Sequence, residues 1–245
     1  MISNPITGAN YFLSSASILT QPGIRRFVIV PLLINIFIFS LGLWFAIVQF
    51  DTFITWALAD LPGWLSWLKW IMWPLFALTF YGLVFFSFSI VANIIAAPFN
   101  APLASAVEFY LSGEKDLIEN IPLFREIKNS IMNEIMKLKY SLLLMLPLLI
   151  LSLLSFILPL ISPAIAVLWM IYSIWILTLE YADFPMANHA MNFPEIRNQL
   201  ASKRFLSLGF GAMVMLATLI PFVNFLAMPI AVAGATKMYL NEFKY

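Results

Sequence analysis

The 40 residues Tyr140–Leu179, YSLLLMLPLLILSLLSFILPLISPAIAVLWMIYSIWILTL, contain no charged residue, and they decide the fold class of this chain. One helix needs about 20 apolar residues to cross the hydrocarbon core of a bilayer, so this run is long enough for two passages. Pro159 and Pro163 interrupt it near its middle. Because proline removes a backbone donor and crowds the preceding turn, the run is predicted to form two helical arms joined by a break.

The composition of the 245-residue chain agrees with a membrane protein. Hydrophobic residues make up 62% and charged residues 10%, against about 45–50% and about 25% in soluble domains. The mean hydropathy is +0.94. A net charge of +1 gives no bulk field for recruiting nucleic acid. With no Cys and one His, the chain lacks the ligand set of a zinc, haem or iron–sulfur site, so no metal and no cofactor are expected.

Three further uncharged runs occupy residues 27–50, 70–107 and 205–236. The first has the length of one span, and the second is interpreted as one long span that Pro98 and Pro102 bend or end. The third breaks at Pro221 into arms shorter than the about 17–25 residues of a full span. We therefore interpret 140–179 and 205–236 as hairpins that turn back inside the membrane, with pairs of short ordinary spans as the alternative. A turn at that depth requires surrounding protein or a water-filled cavity, which points to an oligomer or a pore.

The predicted fold is an all-α integral membrane protein that forms one membrane domain over residues 1–245. It has two long transmembrane helices, two partially inserted, re-entrant helical hairpins and an N-terminal interfacial helix. The interfacial helix covers 1–21, with Ala9, Phe12, Leu13, Ala16 and Leu19 at helical spacing. The transmembrane helices cover 27–50 and 70–97, and the hairpins with their cytoplasmic extensions cover 122–179 and 194–240.

Both hairpins are preceded by segments that look helical. Pro122 suits a first helical position, and an apolar stripe follows at Phe124, Ile127, Ile131, Ile135 and Leu138. Asn192 and Glu195 can cap a second helix that continues through Leu200 into Phe205. An apolar stripe outside the bilayer needs a partner, which either a second copy of the chain or the other projecting helix could supply.

The distribution of basic residues predicts the orientation. Of the 13 Lys and Arg residues, Lys69 alone lies in the 51–69 loop, and the others share one face if both runs are hairpins or helix pairs. The positive-inside rule places that face, with both termini, in the cytoplasm.

The sharpest polar feature is Gln21-Pro-Gly-Ile-Arg-Arg26, directly before the first span. The backbone N–H groups of Gly23, Ile24 and Arg25 are predicted to point outward at the positive end of a helix dipole, where the Arg25 and Arg26 guanidinium groups add donors. No Asp or Glu precedes Asp51, so the segment offers donors without a carboxylate acceptor, which suits an anion without a proton to donate, such as sulfate. The alternative is that both arginines are positive-inside flanks that bind lipid headgroups.

Four ionisable residues are weaker candidates. Glu108, at the end of a long uncharged run, could gate a pathway or pair with an arginine, or it could mark the membrane interface. Glu180, Asp183 and His189 cluster between the hairpins, and pairing with Arg197, Lys203 or Arg204 would hold the hairpins together. His189 could also titrate near neutral pH.

Several ordered sequence blocks resemble the CysZ family of bacterial sulfate permeases over nearly the whole chain. They are Gly8-Ala-Asn-Tyr-Phe12, Pro22-Gly-Ile-Arg-Arg-Phe27, Pro31-Leu-Leu-Ile-Asn35, Ala97-Pro-Phe-Asn-Ala-Pro102 and Glu180-Tyr-Ala-Asp-Phe-Pro-Met-Ala-Asn-His189. The resemblance implies a homo-oligomer in the bacterial inner membrane that takes up sulfate for cysteine synthesis. It also implies that sulfate binds a Gly-Leu-Arg motif, which corresponds here to Gly23, Ile24, Arg25 and Arg26, with Ile in place of Leu.

Two other classes of function stay open at this stage. A membrane-bound enzyme would need a base, a nucleophile or a metal site, and no Asp/His or Glu/His spacing of that kind occurs. A structural membrane protein would use the hairpins to shape the bilayer, and its arginine pair would serve as a topology anchor. We therefore expect a sulfate permease or channel rather than an enzyme, with sulfate and the lipid bilayer as its partners.

Overall fold

The computed structural model describes residues 4–57, 63, 67–113 and 123–244, and within these ranges every regular element is helical. The expected all-α fold class is therefore confirmed. The α-helices are α1 (Pro5–Ser15), α2 (Arg26–Ala57), α3 (Leu68–Ser112), α4 (Leu123–Leu154), α5 (Ser162–Asn188), α6 (Phe193–Ser202), α7 (Arg204–Leu219) and α8 (Pro221–Glu242).

Three segments of the described chain are long and apolar enough to cross a membrane: Arg26–Trp56, Ile131–Leu154 and Pro159–Asn188. Together they make this a multi-pass membrane protein. The last two belong to the first predicted hairpin, and at 24 and 30 residues each could also cross the bilayer completely by length and composition. These two segments are longer than the uncharged arms of the run 140–179 because the helices continue into charged residues at their ends. The insertion depth of this hairpin therefore stays a prediction.

Both proline breaks lie where the sequence predicts them. After α4 ends at Leu154, a short 3-10 helix at Pro159–Ile161 leads into α5. The second break separates α7 from α8 at Ile220, whose backbone is extended, and Pro221 opens α8. Proline suits that first position because it has no backbone N–H, and an N–H at the start of a helix has no acceptor within the helix.

Three expectations about helix limits need correction or are untested. Pro98 and Pro102 are predicted to bend or end the second span, and ending is wrong for the helix, because α3 continues through both to Ser112. Asn192 and Glu195 do form a capping box, but the helix they start ends at Ser202 and meets α7 at 103°, so it does not continue into Phe205 as one helix. The predicted helix start at Pro122 lies outside the described residues.

The chain forms two compact units. The first unit comprises residues 26–99, with α2 and the N-terminal part of α3. Within it, Phe50 of α2 stacks on Phe76 of α3 with ring centroids 3.9 Å apart, and Trp73 packs edge-on against Phe50. Such aromatic pairs contribute about 0.5–1.5 kcal/mol beyond the area that they bury.

The second unit comprises residues 1–25 and 100–245 and holds the candidate site residues other than Arg26. Its centre is α1, which packs against α7 and α8. A Cβ atom at Gly8 or Gly209 would collide with the backbone of Leu206 or Pro5, so glycine at both positions is what lets α1 and α7 approach so closely. The buried face of α1 is Gly8, Phe12 and Ser15, whereas Leu13, which the sequence placed on the apolar face, is exposed.

Candidate functional site

The segment before α2 is a tight turn rather than the first turn of a helix. Gly23 has φ of +88°, in the left-handed region that glycine adopts without strain. The backbone N–H groups of Ile24 and Arg25 both donate to the carbonyl oxygen of Gln21, at 3.1 and 3.2 Å. The prediction that these two groups point outward at an anion is therefore wrong, because the turn uses them. The Ile24 side chain, 2% exposed, anchors the turn in the interior of its unit.

Arg25 and Arg26 are both exposed, and within the described residues neither forms a salt bridge. Arg26 is the first residue of α2, and its guanidinium carbon lies 4.8 Å from the centre of the Phe27 ring. The backbone N–H groups that lack intrahelical partners at the start of α2 are therefore those of Arg26 and the residues directly after it. The two guanidinium groups remain the strongest anion donors of the segment, since each carries five N–H groups and a fixed charge.

Glu108 lies near the C-terminal end of α3, and its side chain is 1% exposed. Its carboxylate accepts from Nε2 of His189 at 2.9 Å and from Nζ of Lys244 at 2.8 Å. The ring of His189 also packs against Tyr239 of α8, with centroids 5.0 Å apart. The structure thus joins two of the predicted candidates, Glu108 and His189, and adds a lysine next to the C-terminus.

Glu180 and Asp183 contact Lys137, not the predicted Arg197, Lys203 or Arg204. Nζ of Lys137 lies 3.0 Å from Oε2 of Glu180, 3.2 Å from Oδ2 of Asp183 and 2.8 Å from Oε1 of Glu134. Lys137 belongs to α4, so the two carboxylates of α5 tie together the arms of the first hairpin rather than the two hairpins. The three ion pairs share one largely buried ammonium group, which explains why a lysine is tolerated there.

One cluster was missed by sequence reasoning. Glu242 at the end of α8 accepts from Nζ of Lys203 and from the hydroxyl of Tyr11, which lies 231 positions earlier in the chain. Burial raises the pKa of Glu242, but these hydrogen bonds outweigh burial and hold its pKa below the ordinary value. Burial and the same carboxylate raise the pKa of Tyr11 to about 12. No local pattern signals a contact between two chain ends.

In the described part of the chain, no group of three or more His, Cys, Asp or Glu side chains could hold a metal ion. The charged clusters are instead ion pairs, each with at least one lysine or histidine at hydrogen-bond distance. Among the charged residues predicted for sites, Arg25 and Arg26 are exposed, whereas Glu108, Glu180, Asp183 and His189 are buried or partly buried.

Comparison with known proteins identifies the family. The model of the family described as "Sulfate transporter CysZ/Etoposide-induced protein 2.4" matches residues 11–229. A "Sulfate transporter CysZ" of Pseudomonas paraeruginosa is 39% identical over 239 residues, which cover 97% of this chain and 96% of the relative. Proteins of the same name from Vibrio cholerae and Pectobacterium atrosepticum are 38% and 36% identical over 97% of this chain, and over 94% and 86% of their own lengths. The chain therefore belongs to the family of sulfate transporter CysZ and etoposide-induced protein 2.4.

Proposed function

We propose that this protein is a transporter, not an enzyme, that carries sulfate across the bacterial inner membrane and supplies sulfur for cysteine biosynthesis. Relatives named as sulfate transporters match it over 97% of its length, which supports the substrate. The observation that carries the proposal is the pair of exposed arginines at the start of α2. No carboxylate occurs within the first 50 residues to neutralise them.

The proposed sulfate site consists of Gly23, Ile24, Arg25 and Arg26. Gly23 turns the chain and Ile24 anchors it, so the turn sets the position of Arg25, and Arg26 follows as the first residue of α2. Sulfate has no proton to donate at neutral pH and therefore needs donors alone, which guanidinium groups supply in pairs. Because the turn uses the N–H groups of Ile24 and Arg25, the arginine side chains are proposed to make the main contacts with sulfate.

The proposed arrangement in the membrane follows from charge and from exposed apolar surface. Both termini lie in the cytoplasm by the positive-inside rule. Ile131, Ile135 and Leu138 of α4 are each more than half exposed, so this part of the predicted apolar stripe has no cover within the described chain. In the proposed hairpin this part of α4 projects from the bilayer, where a second copy of the chain would bury these residues, which supports a homo-oligomer. The alternative cover is the other projecting helix, but α6 leaves these three residues exposed.

The test is uptake of radiolabelled sulfate into liposomes that contain this protein as the sole protein. We expect uptake by the wild type. The dependence of uptake on sulfate concentration should show at least a tenfold loss of sulfate affinity for Arg25→Ala/Arg26→Ala, because each charged hydrogen bond contributes about 1.5–3 kcal/mol. Arg25→Lys/Arg26→Lys should recover part of the affinity, since an ammonium group lacks the planar fork. Lys139→Ala, which removes an exposed charge elsewhere, is the control.

Each result separates the alternatives. Wild-type protein that moves no sulfate would favour a membrane enzyme or a structural protein. If the wild type transports sulfate and the double alanine variant binds it equally well, the arginines are topology anchors and the sulfate site lies elsewhere.

A further inference from the structure

A cavity of about 450 Å³ lies where the bend between α6 and α7 meets α4 and α5. Arg197 and Arg204 line its polar side, and Trp175, Ile171 and Leu208 line its apolar side. None of these residues belongs to the proposed sulfate site, and the proposed transport function assigns the cavity no role. All of them lie in the unit formed by residues 1–25 and 100–245.

The polar side of the cavity carries two positive charges without a carboxylate. Arg197 donates from Nη2 to the side-chain oxygen of Asn198 at 2.9 Å, and its guanidinium carbon lies 5.5 Å from the centre of the Tyr140 ring. Arg204 donates from Nε to the carbonyl oxygen of Ala201 at 3.2 Å. Over the described ranges neither arginine forms a salt bridge, and no Asp or Glu lines the cavity. Each guanidinium group therefore keeps donors that an anion could use.

The cavity lies at the boundary between charged and uncharged sequence. Tyr140 is the first residue of the uncharged run 140–179, and Arg204 is the last charged residue before the uncharged run 205–236. The 103° bend turns α7 away from α6, which would let α6 lie along the membrane surface while α7 enters the apolar layer. The indole N–H of Trp175 donates to the hydroxyl of Tyr140 at 3.1 Å, which joins two side chains of the kinds that collect at membrane interfaces.

The apolar side of the cavity extends away from the charges along uncharged parts of α5 and α7. Leu208 lies one turn beyond Arg204 along α7, and Ile171 lies more than two turns from Glu180, the charged residue that ends the uncharged part of α5. Ile171 is exposed and Leu208 is partly exposed, so the cavity opens toward lipid. A free inorganic anion would leave this apolar wall uncovered, whereas a molecule with a charged head and an alkyl chain would cover both sides.

We propose that this cavity binds one anionic phospholipid, with its phosphate between Arg197 and Arg204 and the start of an acyl chain along Ile171 and Leu208. Basic pockets beside membrane helices on the cytoplasmic side are suited to such headgroups. The lipid would fill the corner between the two hairpins and fix the α6–α7 bend at the membrane surface.

The test uses detergent-purified, full-length protein and native mass spectrometry with phosphatidylglycerol or phosphatidylcholine. We expect a phosphatidylglycerol adduct on the wild type that phosphatidylcholine does not replace. Arg197→Gln/Arg204→Gln should weaken that adduct at least tenfold, because two charged hydrogen bonds are lost. Lys139→Gln/Lys237→Gln removes the same charge outside the cavity and should keep the adduct. Equal loss in both double variants would overturn the site, since net charge alone would then explain binding.

A second comparison separates a lipid from a free anion. Leu208→Trp fills the apolar side and leaves both arginines in place, so it should weaken the phosphatidylglycerol adduct. Millimolar sulfate or inorganic phosphate, added to the wild type, should leave its adduct intact. If Leu208→Trp binds lipid as the wild type does, or if either inorganic anion displaces the lipid, the cavity is an inorganic-anion site and the proposal is wrong. Sulfate uptake by Arg197→Gln/Arg204→Gln is measured in parallel, and loss of the lipid with sulfate uptake retained separates this site from Arg25 and Arg26.

Discussion

The ion pairs of Glu108 allow a quantitative prediction about what holds the C-terminus to the helical core. Lys244→Met removes the ammonium group that lies 2.8 Å from Oε1 of Glu108 and keeps an unbranched apolar side chain. The carboxylate that loses this partner is 1% exposed, so water cannot replace the lost hydrogen bond without opening the structure. His189 still donates to Glu108 at 2.9 Å, which limits the damage.

The expected magnitude lies between two limiting cases. Breaking a fully buried ion pair costs about 3–5 kcal/mol, and breaking an exposed pair costs about 0–1 kcal/mol. The side chain of Lys244 is 18% exposed and the hydrogen bond from His189 remains, so we expect a loss of about 2 kcal/mol. For a chain of this size that corresponds to a decrease of about 4–8 °C in the melting temperature.

The assay is thermal unfolding of the detergent-purified protein, followed by intrinsic tryptophan fluorescence. A double-mutant cycle with Glu108→Gln isolates the pair, because Lys244→Met should cost much less once the carboxylate is neutral. Lys237→Met, which removes a lysine of α8 that contacts the hydroxyl of Ser14, is the control. A melting temperature unchanged in Lys244→Met, or equal losses in both backgrounds of the cycle, would refute the role of this ion pair.

Three further predictions concern packing, pH and topology. Gly209→Ala should destabilise the protein by about 1–3 kcal/mol, because the added Cβ meets the backbone of Pro5. Gly42 has open space around it, so Gly42→Ala is the control and should not destabilise the protein. The melting temperatures of the two variants are compared with that of the wild type. The pKa of Glu242 is lower in the folded than in the unfolded protein, so its ionised carboxylate stabilises the fold at pH values above the unfolded-state pKa of about 4.3. This stabilisation is lost as the pH falls through the folded-state pKa. The difference in stability between wild type and Glu242→Gln should therefore vanish on acidification. Cysteine introduced at Val223 should resist a membrane-impermeant thiol reagent applied from outside, and strong labelling there would mean that the second hairpin crosses the membrane.

The membrane character, the helical breaks and one helix cap could be predicted from the sequence. Uncharged runs identify segments that belong in hydrocarbon because charged groups are excluded from it. Proline acts on its own turn, so the breaks near Pro159 and Pro221 could be predicted locally, although Pro147 and Pro229 lie inside continuous helices. The capping box of Asn192 and Glu195, three positions apart, is equally local. Proline did not end α3 at Pro98, since neighbouring structure can compensate for a missing backbone donor in a membrane helix.

The partners of the charged residues were decided by the tertiary structure. Glu108 and Lys244 are 136 positions apart, and Lys137 and Asp183 are 46 apart, so no helical or turn periodicity links them. The donors before α2 show the same limit on a shorter scale: whether the N–H groups of Ile24 and Arg25 face an anion or close a turn depends on how the buried Ile24 side chain anchors that turn. Local patterns specify where a helix begins, because that depends on a few bonds within one turn. Which distant charges meet depends on how the helices pack, and that packing depends on close approaches such as the one between Gly8 of α1 and the backbone of α7.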